Sequence, residues 1–415
     1  MSTRRAGTEA ANQRNAVLAG FLGWTLDAFD FFIITLLIDD LAQAFFPGLP
    51  LASARPRIAL AITITLAMRP VGAFIFGLMA DRFGRRVPLM LNVIFYAAIS
   101  VACGFAHSYA VFFTLRALFG IGMGGEWGIG ASLAMESAPV RLRGVLSGLL
   151  QEGYAIGNLL AALAFRFVYP WANVHYPGNA WRAMFFLGGV PALLSLFVRA
   201  RVKEPEAWQE HRTDWATYRR TIWSNARIFF YLVLLMAMMN LMSHGTQDMY
   251  PTLLKTFGYG KARIADITML SMIGAVLGGL VFGLYSDRSG RRRAMIVASG
   301  CGLVMLPMWI AGYSPWTTIV GVFLMQFFVQ GAWGVIPAHI NELSPGTLRG
   351  FFPGFAYQLG VLCASSIPYL EAWLGGMFSY KQSMGGLMVL VFIGALIVIG
   401  LGPEAHKVSF RKSEV

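Results

Sequence analysis

The sequence predicts an all-α membrane protein of twelve transmembrane helices, arranged as two parallel six-helix repeats. Three observations carry that expectation. Apolar runs of about 20 residues, the length a helix needs to cross hydrocarbon, recur along the chain. Only 13% of the 415 residues are charged while 57% are hydrophobic, against about 25% charged in a soluble domain, and mean hydropathy is +0.60. Finally, two loop motifs recur at one offset. Membrane barrel strands would instead be short and alternating. The spans are expected at about 16–46, 57–80, 88–106, 109–135, 144–169, 180–200, 228–258, 263–285, 294–312, 315–341, 351–374 and 383–402. The polar stretch MSTRRAGTEAANQRN leads straight into the first of them, so no cleavable secretory leader is expected.

The duplication is read from the loops. Phe76–Arg86 is FGLMADRFGRR and Phe282–Arg292 is FGLYSDRSGRR; Glu136–Gly144 is ESAPVRLRG and Glu342–Gly350 is ELSPGTLRG. Both pairs are 206 residues apart (81 to 287, 144 to 350). An even number of spans per half makes the repeats parallel, and such halves close around a midplane cavity. The expected domains are a first bundle over 1–200, a linker over 201–227 and a second bundle over 228–415. The linker is basic and rich in Trp and Arg, which suits interfacial helices.

The net charge of +13 follows topology rather than a nucleic-acid partner. Roughly 23 Lys/Arg fall in the tails and the alternate loops on their side, against about 7 in the opposite loops. Both termini are therefore expected in the cytoplasm, with the protein a monomer in the plasma (inner) membrane. Cys103, Cys301 and Cys363 lie far apart in apolar segments and make neither a metal spacing nor a disulfide framework. No metal and no cofactor are expected.

The duplicated D-R-x-G-R-R and E-x-x-x-x-x-L-R-G loops, the twelve spans and the long central linker resemble the major facilitator superfamily over the whole chain. That resemblance implies an alternating-access secondary transporter. On their own chemistry, Asp81 is expected to favour the positive end of the helix beginning near Pro88. Gly84 permits the tight turn, and Arg82, Arg85 and Arg86 can pair with carboxylates at neighbouring helix ends, with Glu136 and Arg143 bracketing the next turn. With the second copies Asp287, Arg291, Glu342 and Arg349, these residues are expected to latch the cytoplasmic side and release it as the cavity opens inward.

Ionisable groups at membrane depth are rare and usually face a cavity. Asp27 and Asp30, three apart and roughly 16–21 Å along the first span, share one face near the midplane. Two like charges there cannot both stay ionised cheaply, which suits proton coupling. Arg69 lies near the middle of the second span beside the helix-kinking Pro70. It is the expected substrate anchor, because guanidinium grips a carboxylate with two parallel hydrogen bonds. Glu126 follows a run of glycines that allows close helix contact and offers a further proton site. Arg116 is expected nearer the outer end of its span, and the superfamily resemblance links an Arg there to proton handling.

In NLMSHGTQDMYPT, the residues Asn240, Ser243, His244, Gln247 and Asp248 fall within about 140° of a helix. Exposing that stripe to lipid would be costly, so it must face protein or water. Asp248, four residues beyond His244, can orient the imidazole, and Pro251 bends the helix.

The pattern N-x-x-S-H-x-x-Q-D-x-x-P-T resembles the signature of the Jen-type lactate/pyruvate:proton symporters, in one branch with the sialate:proton symporters. The resemblance implicates the stripe, the second-span Arg and polar residues of spans five and eleven in substrate binding; here these are Gln151, Tyr154 and Asn158, then Tyr357 and Gln358. Val361 departs from fungal relatives, which carry Asn there. Sialate transporters of the branch are expected to carry additional spans.

The expected function is symport of protons with a small monocarboxylate such as lactate, pyruvate or acetate. Arg69, Asn240, His244, Gln247, Tyr154 and Gln358 would bind substrate, and Asp27, Asp30, Glu126 or Asp248 would carry the proton. The alternatives are a sialate, sugar-acid or dicarboxylate:proton symporter, or a transporter-like sensor that moves nothing. A dianion would want a second midplane cation besides Arg69. No nucleophile–base pair, metal spacing or soluble domain points to an enzyme.

Overall fold

A computed structural model describes the chain except for residues 1, 211–214, 313, 368–369, 372–373, 375–376, 407 and 411–415. Among the described residues there are helices and no strand. Ten helical stretches are long and apolar enough to cross a membrane. α5 (Tyr109–Ser137) and the short apolar α17 (Phe352–Ala364) complete the twelve. α5 is long enough, but Arg116, Glu126 and its glycines make it less apolar; it is buried without a break from Gly122 to Glu136. The eleventh predicted span, 351–374, runs past α17 into residues that lie in part outside the described set.

Several predicted spans are broken helices. The first comprises α1 (Ser2–Leu36) and α2 (Ile38–Phe45). α3 (Leu51–Phe83) and α4 (Arg86–Gly104) are continuous. The fifth divides at Glu152 into α6 (Arg143–Gln151) and α7 (Gly153–His175), and the sixth into α8 (Ala180–Leu187) and α9 (Ala192–Arg201). Two short helices, α10 (Glu206–Glu210) and α11 (Trp215–Ser224), occupy the linker. α12 (Ala226–Gln247) gives way to α13 (Tyr250–Thr256), which carries Pro251 in its first turn. There follow α14 (Lys261–Ser289), α15 (Arg291–Ala311), α16 (Pro315–Leu343) and, after α17, α18 (Tyr380–Leu401).

The chain forms two compact units. The first comprises 1–137, 152–218 and 346–358; the second comprises 138–151, 219–345 and 359–415. In the first, α3 lies along α5, α1 packs on α5 and α7, and α4 flanks α5. In the second, α14 lies along α16, α15 packs on α16 and α18, and α6 packs on α14 and α16.

Glycine sets the closest approaches. A Cβ at Gly72 of α3 would collide with the Ile121 carbonyl oxygen of α5, and one at Gly278 of α14 with the Phe327 carbonyl oxygen of α16. Residues 72 and 278, like 121 and 327, are again 206 apart, so the repeat read from the loops extends into the helix packing. Gly120 and Gly124 of α5 likewise meet the carbonyls of Thr65 and Arg69, which fixes the backbone of Arg69 against α5. Gly72→Val and Gly278→Val should each lower the melting temperature in detergent, since overpacking costs about 1–3 kcal/mol. Gly300→Ala, in open space on α15, should leave it unchanged or slightly raised.

Candidate functional site

The duplicated loops form the same ion network twice. Arg85 Nη1 is 2.7 Å from Asp81 Oδ1, and its Nη2 is 2.8 Å from Glu136 Oε1. Arg291 meets Asp287 at 2.9 Å and Glu342 at 2.9 Å. Gly84 and Gly290, at φ 97° and 94°, make the left-handed turns that a Cβ would oppose. Burial pulls Arg85 down, but the neighbouring Glu136 and Asp81 outweigh it, so its pKa stands above the ordinary value.

The predicted role of Asp81 at the start of α4 is corrected. Its oxygens accept from the backbone N–H groups of Gly350, at 2.7 Å, and Phe351, at 3.1 Å, just ahead of α17. Asp287 does the same for Gly144 and Val145 at the start of α6, at 2.8 and 3.1 Å. The N-terminus of α4 belongs to Glu204, which accepts from Arg85 N at 2.8 Å and Arg86 N at 2.9 Å. Burial pushes the Glu204 carboxyl up, against the pull of those two donors. Glu404 serves α15 through Arg291 N and Arg292 N, both at 3.0 Å. Each acid thus answers orphan N–H groups at a positive helix end. Arg143 pairs with Glu342 at 3.2 Å and lies 3.7 Å over the Phe410 ring; Arg349 is buried. The linker docks on the first loop, where Tyr218 donates to Asp81 Oδ2 at 3.0 Å and Trp208 Nε1 to the Asp81 carbonyl at 2.9 Å.

Inside the first unit, Asp27, Asp30, Glu126 and Arg116 are fully buried, and Arg69 nearly so. Arg69 lies 5.8 Å over the Tyr357 ring. Its Nε and Nη2 have no hydrogen-bond partner among the described residues. Around it, Trp127 stacks on Tyr357 at 4.4 Å, Trp24 meets Tyr357 edge-on at 6.3 Å, and Tyr154 stacks on Trp24 at 5.3 Å. Gln358 donates to the Gly124 carbonyl at 3.4 Å and leaves its Oε1 unpartnered. Asp27 lies in the field of both Arg69 and Arg116. Arg116, in the first third of α5 (Tyr109–Ser137) and so nearer one end as expected, joins this cluster, beside Asp30 and Cys103 and 4.2 Å over Phe119. The second cation that the sequence did not place at depth is therefore present. The cluster is not duplicated: the positions 206 beyond Arg69, Arg116 and Glu126 are Ala275, Val322 and Ala332.

Inside the second unit the stripe divides. His244 Nδ1 lies 3.0 Å from Asp248 Oδ2, and both side chains are about one-third exposed (36% and 35%). Ser243 and Gln247 turn toward α16: Gln247 donates to Gln326 at 2.8 Å, and Gln330 to Ser243 at 3.1 Å. Asn240 bonds back to the Met236 carbonyl of its own helix at 2.8 Å. Glu371, buried and in the field of Asp248, adds an acid that the sequence reading passed over. It also missed Trp24 and Trp127, and a buried α4 face of Asn92, Tyr96 and Ser100. Nothing in composition separates those residues from ordinary core, although their spacing of four was visible. Gln151 falls in the second unit, whereas Tyr154 and Asn158 fall in the first.

Helices that make up twelve apolar crossings, with a buried acid–arginine cluster inside the first unit, point to a membrane transporter. Residues 16–219 match the family model "Sugar (and other) transporter", and residues 249–414 match "Major Facilitator Superfamily". The chain belongs to the major facilitator superfamily and is a multi-pass membrane protein, not an enzyme.

Among its relatives is the "Carboxylic acid transporter protein homolog" of Saccharomyces cerevisiae, 26% identical over 403 residues; the match covers 90% of this chain and 63% of that protein, so this chain spans less than two thirds of its length. The sialic acid transporter NanX of Escherichia coli is 26% identical, with 94% of each chain covered. That coverage removes the expected length difference from sialate transporters. A probable 4-methylmuconolactone transporter of Cupriavidus pinatubonensis is 28% identical, over 96% of this chain and 92% of that protein. Among solved structures, the proton:xylose symporter XylE superposes with a TM-score of 0.80 at 17% identity, covering 96% of this chain and 98% of that one; at that identity the likeness is one of fold.

Asp81→Asn should reduce substrate uptake at least tenfold, because it weakens charge-assisted bonds to Gly350 and Phe351 that are about twice as strong as neutral ones. Membrane abundance, read by immunoblot, should stay within twofold; unchanged uptake would exclude a gating role.

Proposed function

We propose that the chain is a proton-coupled symporter of small monocarboxylates such as lactate, pyruvate or acetate, resident in the plasma membrane with both termini cytoplasmic. The observation that carries this reading is Arg69. It is buried in an aromatic wall with two guanidinium nitrogens unpartnered among the described residues, and the buried Asp27 lies in its field. Leaving such a charge without a partner is costly, and a substrate carboxylate supplies a planar, bidentate one. The printed names of the relatives support an organic-acid cargo.

In the proposed cycle, an acid of the first unit (Asp27, Asp30 or Glu126) takes a proton from the outside, and the substrate anion then docks on Arg69. Tyr154, Tyr357 and Gln358 shape the first unit's surface for it. His244, Asn240 and Gln247, with Asp248 orienting the imidazole, are the second unit's contribution to recognition. Anion and proton together carry no net charge, so the loaded protein changes conformation without moving charge through the potential. One uncompensated charge would change that energy by about 2.3 kcal/mol per 100 mV. Release of the Arg85 and Arg291 networks accompanies opening to the inside.

A second reading, a larger or dianionic acid such as sialate, is favoured by Arg116, a second buried cation in the same cluster, and by the full-length similarity to NanX.

Uptake of labelled lactate into proteoliposomes should rise as external pH falls, and equal uptake at acid and alkaline pH would remove the proton. Arg69→Ala should reduce uptake at least a hundredfold, the equivalent of about 3 kcal/mol, and Arg69→Lys should restore only part of it. Counterflow with lactate, acetate, succinate and sialate separates the two readings of the cargo.

A further inference from the structure

We propose that α4, through Asn92, Tyr96 and Ser100, positions the proton-carrying acids of the first unit. The inference rests on the symport reading above. The three residues are four apart, hence one turn apart on a single helix face, and all three are fully buried. Each end of this face grips one acid by one oxygen. Asn92 Nδ2 donates to Glu126 Oε2 at 3.1 Å, and Ser100 Oγ donates to Asp30 Oδ1 at 3.2 Å.

The opposite oxygens, Glu126 Oε1 and Asp30 Oδ2, have no hydrogen-bond partner among the described residues, and neither does the Tyr96 hydroxyl. Tyr96 stands one turn from each gripping residue, in the field of Glu126, Asp27 and Asp30. A carboxyl held at one oxygen presents the other to a proton. The grip therefore selects Glu126 Oε1 and Asp30 Oδ2 as the atoms that protonate. A phenol can donate to an ionised acid or accept from a protonated one, so Tyr96 can serve both states of its neighbours.

The other groups facing these acids come from α1, α3 and α5, with Cys103 from α4 itself. Asp27 and Arg116 act on Asp30, and Asp27 acts on Glu126; Arg69 and Arg116 act on Asp27, with Cys103 beside Arg116. None of them hydrogen-bonds Asp30 or Glu126 among the described residues. Hydrogen bonding to the two acids in this set falls to α4 alone. A polar ladder kept only for stability would tolerate loss of these contacts without changing the response to pH.

The test uses the full chain in proteoliposomes, reading lactate uptake against external pH, and the same protein in detergent for infrared titration of its carboxyl groups. A donated hydrogen bond favours an ionised carboxylate, so Asn92→Ala and Ser100→Ala should move the midpoint of the uptake profile toward alkaline pH by about half to one unit. Ser100→Thr, which keeps the hydroxyl, should restore the wild-type midpoint. Tyr96→Phe should lower maximal proton-driven uptake about tenfold, with KM for lactate changed less than twofold. The infrared band of a protonated carboxyl that disappears in Asp30→Asn should shift in Ser100→Ala, a readout that needs no substrate.

Monodisperse variants with wild-type midpoints and wild-type bands would overturn the assignment. Should Ser100→Ala fail to fold, Tyr96→Phe, which removes one oxygen, decides by its rate and its bands. If wild-type uptake ignores pH, the symport reading falls while the infrared shift still decides the positioning role.

Discussion

A charge carried into hydrocarbon must be answered by the protein, because no water stands ready to solvate it. The first unit answers by collecting its charges. Asp27, Asp30, Glu126, Arg69 and Arg116 come from three helices into one bundle, where glycines on α3 and α5 bring the backbones together. The second unit answers largely with amides and hydroxyls, joining Ser243 and Gln247 to Gln326 and Gln330, and pairs His244 with Asp248, on which the buried Glu371 also acts. In the loops, carboxylates are answered by guanidinium groups and by the free N–H groups of helix ends.

Scaffold and chemistry have separate histories within the repeat. The Asp–Arg–Glu networks, the left-handed glycines and the Gly72 and Gly278 contacts recur at one offset, since each meets a geometric demand of packing that holds in both halves. The counterparts of Arg69, Arg116 and Glu126 are apolar, since a second set of buried charges would incur a second desolvation cost. The scaffold contacts are thus duplicated, while the Arg69, Arg116 and Glu126 cluster belongs to the first unit alone.

Most of the architecture was legible because it rests on period and length. The twelve crossings, the linker helices, the bend at Pro251 and the His244–Asp248 pair all follow from spacing along one helix or one loop. What stayed hidden depends on which helices meet. Asp81 looked like a cap for α4 because that helix begins nearest in sequence, yet Glu204 holds the place and Asp81 turns to Gly350. Arg116 does lie nearer one end of its own span, but only the packing of α1 on α5 brings Asp30 to it. Asn92, Tyr96 and Ser100 were unremarkable alone and gain meaning from the acids opposite them. Local pattern carries local pairing, whereas partners on other helices, from 34 residues away (Asn92 and Glu126) to 269 (Asp81 and Gly350), require the fold.

The bond from Asp81 to Gly350 spans 269 residues, while that from Asp287 to Gly144 looks back over 143. Synthesis runs from the N-terminus, so the two caps cannot form in the same order. When Asp287 emerges from the ribosome its partner already exists, whereas Asp81 must wait until most of the chain has been translated. Until Gly350 is made, the Asp81 carboxylate has Arg85, four residues on, as the partner already in the chain.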